Sequence, residues 1–146
     1  MKNIETTIII KAPIEKVWSI FTNFNEYPKW NPFIISVKGE VKVGHQIETT
    51  VQLEGMSEQV FKPQILEFGK NYRLRWLGKL GTKGIFDGEH YFQLKVIDSQ
   101  KTELIHGENF SGILSGLLLK MIGEKTKNGF EAMNEALKIE VENNEY

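Results

Sequence analysis

Apolar and polar residues alternate at a period of two through most of this chain, and the spacing becomes helical at two places only. Residues 3–11 carry Ile4 and Ile8-Ile9-Ile10 among threonines, a strand that Lys11 ends. Ala12-Pro13 opens a helix, with Ile14, Val17, Trp18 and Phe21 along one stripe. The segment from Asn23 to Pro32 holds two prolines and three aromatics and reads as a short broken helix or turns. Six strands are predicted next, at about 34–42, 45–55, 57–68, 71–79, 85–97 and 101–110, separated by short turn signals.

The second helical stretch runs from about Gly116 to Val141, after Gly112 and Gly116 break the last strand. Leu118, Ile122, Gly129, Met133, Ala136 and Leu137 recur near helical spacing, with Glu124, Lys127, Asn128, Glu131, Asn134, Glu135 and Lys138 opposite. Roughly 26 helical residues span about 39 Å, enough to cross a small domain. The expectation is an α+β fold over residues 1–146 as one domain. A curved seven-stranded antiparallel sheet wraps the long C-terminal helix, with two short helices between strands 1 and 2. A sheet curved around such a rod leaves room for a cavity.

Charge narrows the partners. With 18 basic and 19 acidic residues and a formal charge of −1, no strong field draws the chain to nucleic acid or an anionic membrane. No stretch reads as a signal peptide or a membrane span, so a cytoplasmic protein is expected. The absence of cysteine excludes disulfides, thiol nucleophiles and cysteine-bound metals.

Several local sequences carry a family resemblance: Ala12-Pro13 with Val17-Trp18, Tyr27 to Pro32, Leu74-Arg75-Trp76, Gly84 to His90, and His106 to Gly112. Together they resemble the helix-grip superfamily of START domains and the birch pollen allergen, in its bacterial polyketide cyclase/dehydrase-like (SRPBCC) branch. The resemblance covers essentially the whole chain. It implies a deep apolar cavity for a small hydrophobic molecule, puts Trp30 near its mouth, and implies no metal or cofactor.

Candidate chemistry follows from strand alternation. Leu104, His106, Glu108 and Phe110 share one face of their strand, and Phe86, Gly88, His90, Phe92, Leu94 and Val96 share one face of the strand before. Both sets are expected inward, bringing two histidines and a carboxylate together. That set could orient a ligand or shuttle a proton; as two histidines and one carboxylate it could in principle hold a metal, although no metal site is predicted. Leu74 and Trp76 point inward, Arg73 and Arg75 outward; His45 lies in an exposed turn. Gly78, Gly81, Gly84 and Gly88 flank a hairpin loop that fits no nucleotide fingerprint and could serve as a lid.

The leading reading is binding of a small hydrophobic molecule, such as a lipid, quinone or polyketide, without a cofactor. The expected ligand-contacting residues are Trp30, Phe61, Trp76, Phe86, His90, Phe92, Leu104, His106, Glu108, Phe110, Met121 and Met133, with Leu74, Leu94 and Leu137 as further apolar wall. One alternative is a cyclase- or dehydratase-like enzyme using His106 and Glu108 as an acid–base pair, with His90 a further candidate. Another is a chaperone-activator-like interaction module. The sequence leaves ligand identity, pathway and oligomeric state open.

Overall fold

The computed structural model describes residues 2–144. Strand β1 (Lys2–Ile10) leads into helix α1 (Ile14–Phe21), a 3-10 turn (Phe24–Glu26) and helix α2 (Tyr27–Trp30). The strands β2 (Ile34–Lys38), β3 (Glu48–Val51), β4 (Gln59–Phe61), β5 (Gln64–Gly69), β6 (Arg73–Lys79), β7 (Asp87–Asp98) and β8 (Lys101–Ser111) follow, and helix α3 (Ser115–Asn143) closes the order. The architecture is the expected α+β helix-grip fold, with eight strands in place of seven.

The extra strand comes from Pro63. Lacking an N–H, it cannot continue a hydrogen-bonded ladder, and the single strand expected over 57–68 is split there. On one side β4 pairs with β3; on the other, β5 pairs with β6. The chain thus changes sheets at this corner, giving a five-stranded antiparallel sheet ordered β1-β8-β7-β6-β5 and a three-stranded one ordered β2-β3-β4. A bridge between Gln46 and Gln64 joins them. The strand expected to reach residue 42 ends at Lys38, because Gly39 takes a φ of +104°, a turn conformation.

The aromatic stripe of α1 buries Val17, Trp18 and Phe21. Its end is fixed from two sides: the Thr22 hydroxyl donates to the Trp18 carbonyl, and Tyr27 Oη donates to the Phe21 carbonyl at 2.6 Å. Burial holds the Tyr27 phenol well above its ordinary pKa, so it remains a donor. Gly112 turns β8 into α3 with a φ of +105°, and a Cβ there would approach the Ile85 carbonyl oxygen to 2.5 Å.

Helix α3 has two different halves. In the C-terminal half, Phe130, Met133, Leu137 and Val141 are completely buried, each stabilising the fold by about 1.5–3 kcal/mol through lost apolar exposure. In the N-terminal half, Leu118 and Ile122 are only half-buried, and Leu117 and Met121 are exposed. One expectation is corrected here. Asn134, assigned to the polar side of the helix, is 2% exposed and points into the core, because it has hydrogen-bond partners there that offset its desolvation.

Candidate functional site

A cavity of about 390 Å³ lies between the two sheets and the first half of α3, within the roughly 300–1,000 Å³ range of small-molecule sites. Phe33, Ile34, Thr49, Val51, Leu53, Met56, Gln59, Phe61 and Pro63 line the side of the smaller sheet. The larger sheet contributes Trp76, Gly78, Gly88, His90, Glu108 and Phe110; α3 contributes Leu118, Met121, Ile122 and Thr126. Lys79 ends β6, and Leu80 and Phe86 come from the β6–β7 connection, where Phe86 stacks on Phe110 at 5.6 Å.

That connection, expected as a possible lid, is tied to the start of α3. Ile113 N donates to the Gly84 carbonyl and Leu114 N to the Ile85 carbonyl, while Asp87 Oδ2 accepts from Gly84 N. Leu80 in it, Ile113 bonded to it and Met121 on α3 are exposed. Of these, Leu80 and Met121 also belong to the cavity wall.

Sheet register assembles the polar end. His90 lies opposite Glu108 and Trp76, whereas His106 lies opposite Phe92 and Thr6 in the next row. The histidines are therefore diagonal neighbours whose rings reach across. His90 Nδ1 is 3.4 Å from Glu108 Oε1, and His90 Nε2 is 2.8 Å from His106 Nε2. His106 Nδ1 is 2.8 Å from Asn134 Oδ1, Asn134 Nδ2 donates to Thr6 Oγ1 at 2.8 Å, and Thr6 Oγ1 donates to the His106 carbonyl at 3.0 Å. A hydrogen-bonded line thus runs from the cavity wall into the core.

Two glycines make room for this arrangement. A Cβ at Gly88 would fall on the Glu108 carboxylate, and one at Gly129 would come within 2.6 Å of the Phe33 ring. Phe33 in turn faces His90, His106 and Phe130. Burial, and then the adjacent His90, push the His106 pKa well below its ordinary value, which keeps the ring neutral.

Of the residues singled out in the sequence, Phe61, Trp76, Phe86, His90, Glu108, Phe110 and Met121 are on the cavity wall. Phe92, Leu104, His106, Met133, Leu74, Leu94 and Leu137 are on the correct face but lie in the packed core beyond the cavity. Trp30 is half-buried against Tyr27, with ring centroids 5.1 Å apart, and does not line the cavity. The pairing of His106 with Glu108 is also replaced: the contact to Glu108 is made by His90. The nearest nitrogens of the two histidines are at hydrogen-bond distance and face each other, so they do not converge on one ion. Among the described residues no cluster of three or more His, Cys, Asp or Glu could hold a metal. No helix among them is long and apolar enough to cross a membrane.

Beyond Phe61, the smaller sheet contributes residues outside the expected set. Thr49, Val51 and Leu53 alternate inward, a period-two signal visible in the sequence, and Phe33 and Ile34 follow directly after Pro32.

Residues 1–142 match the sequence family described as polyketide cyclase / dehydrase and lipid transport. The chain belongs to this family. Its members' helix-grip fold recurs in the Zhui aromatase/cyclase from Streptomyces sp. R1128, with a TM-score of 0.78 at 16% identity, covering 97% of this chain and 93% of that one. A START superfamily protein from Mycobacterium smegmatis is similar over 96% of this chain and 97% of its own, with a TM-score of 0.70 and 21% identity. A conserved protein from Geobacillus kaustophilus gives a TM-score of 0.71 at 17% identity over 97% and 95% of the two chains. At these identities the likeness is one of fold. No curated protein sequence matches the chain.

Proposed function

We propose that this protein binds a small, largely apolar molecule, of the size and character of a lipid, quinone or polyketide fragment, in the cavity between the two sheets and α3. The observation that carries the reading is the cavity itself: about 390 Å³ walled by aromatic and aliphatic side chains, with the His90–Glu108 pair among its few polar groups. Membership of the family supports it. Such a wall takes up apolar surface without naming its owner, and methionines at 56 and 121 make it adaptable. Native mass spectrometry of protein purified from its own host tests this, together with thermal melts against a panel of lipids, quinones and polyketides. A co-purifying molecule or a raised melting temperature is the expected result. Unchanged melts across the panel with no retained molecule overturn the reading.

The contact of His90 with Glu108 favours a second reading, acid–base chemistry on a bound carbonyl compound. Its residues are Glu108 and His90, since both face the cavity while His106 is sealed behind them. Unchanged turnover in a Glu108→Gln, His90→Gln variant, once a substrate is known, removes it.

A further inference from the structure

The hydrogen-bonded line behind the cavity has a direction. The Thr6 hydroxyl gives its proton to the His106 carbonyl, so it accepts from Asn134 Nδ2. That orients the amide and leaves Asn134 Oδ1 facing His106 Nδ1. An amide oxygen only accepts, so His106 carries its proton on Nδ1. A neutral His106 then has a bare Nε2, and the 2.8 Å contact with His90 Nε2 requires His90 to be the donor. With that proton committed, His90 leaves Nδ1 on the cavity side, 3.4 Å from Glu108 Oε1. Nδ1 and the carboxylate oxygens are both acceptors, to which a ligand hydroxyl can donate.

From this we infer that Thr6, Asn134 and His106 are positioning residues that fix the His90 proton on Nε2, so that the His90–Glu108 pair offers acceptors to the cavity and selects a ligand hydroxyl over a carboxylate. The ligand class rests on the cavity reading above; the proton placement does not. On this placement the pair turns acceptors toward the ligand. Its outward carboxyl oxygen, lying over Gly88, is left to accept a ligand O–H. The groups facing His90 from neighbouring elements are Glu108 and His106 on β8, Trp76 on β6, Phe33 and Phe130. No cation among them would hold a ligand carboxylate. The cavity's one cationic side chain, Lys79, is exposed.

Two measurements on the full chain test this. Long-range ¹H–¹⁵N spectra of the imidazoles should show His106 protonated at Nδ1 and bare at Nε2, with His90 protonated at Nε2. Thr6→Val, which frees the Asn134 amide to turn, should mix the His106 tautomers. A wild-type His106 protonated at Nε2, as a reversed Asn134 amide would give, overturns the proton placement; an unmixed tautomer in Thr6→Val overturns the positioning role. Calorimetric titration with naphthalene, 2-naphthol and 2-naphthoate reads the ligand class. 2-Naphthol should bind about tenfold tighter than naphthalene, the scale of one good hydrogen bond, and 2-naphthoate weakest. Glu108→Leu should bring the ratio of naphthol to naphthalene affinity down to about one. If naphthalene binds as well as naphthol, or naphthoate binds best, the selectivity is overturned while the cavity reading stands. If none of the three binds, the selectivity is overturned, and the cavity reading is decided separately by the melts and the co-purified molecule.

Discussion

His106 sits directly behind His90, with their Nε2 atoms 2.8 Å apart, and only His90 touches the cavity. One histidine is therefore available to a ligand while the other is part of the protein interior.

A pH dependence follows from His106. Its folded pKa lies well below its ordinary value, so below about pH 6.5 the unfolded chain takes up a proton that the folded chain refuses. Protonation then favours unfolding, and stability is full above that pH and falls as pH decreases toward the folded pKa. Urea unfolding between about pH 7 and pH 5 should show the loss, with a slope approaching about 1.4 kcal/mol per pH unit. In His106→Asn that component of the slope should vanish; an undiminished slope contradicts the assignment.

Gly88→Ala isolates the carboxylate. The new Cβ displaces Glu108, whose flexible end swings away cheaply, so stability should change by less than about 1 kcal/mol. The His90 ring resonances should nevertheless shift as its partner leaves. A large fall in melting temperature with unmoved His90 signals would count against this account of the pair.

Gly129→Ala sets two effects against each other. Alanine gains about 1 kcal/mol in helix propensity, but its methyl meets the Phe33 ring at 2.6 Å, and overpacking a core costs about 1–3 kcal/mol. The ring is held by Phe130 and both histidines, so the packing cost should win. Net stabilisation in chemical denaturation would show that Phe33 has room to move.

Tryptophan emission locates binding within the chain. Trp76 lies on the cavity wall, Trp18 stacks on Phe68, and Trp30 packs on Tyr27. A ligand-induced change in fluorescence should persist in Trp30→Phe and disappear in Trp76→Phe. The reverse pattern would move the site to the α2 corner.

Much of this architecture was readable in advance, and the boundary of what was not has a physical cause. Period-two alternation correctly sorted His90, His106, Glu108, Trp76 and Phe110 onto the inner face of the large sheet. It could not say where along a strand the core stops and the cavity begins, because that is set by which half of α3 lies opposite. Hence Phe92, Leu104 and His106 were grouped with the cavity but are packed in the core. Helical spacing failed at Asn134 for a different reason: its partners Thr6 and His106 come from β1 and β8, and no local pattern reveals them. Pro63 is a strand-breaking signal inside the 57–68 run, and the strand divides there.

The uneven burial of α3 separates folding from recognition within one element. Every fully enclosed apolar contact of the helix lies after Thr126, whereas Leu118, Met121 and Ile122 border the cavity without being sealed in the core. Substitutions in those first turns can therefore reshape the chamber while the anchoring end keeps the domain folded. A lineage built on this chain can change the shape of that chamber without first acquiring extra stability, and a mutant library confined to these positions should yield mostly folded proteins with altered cavities.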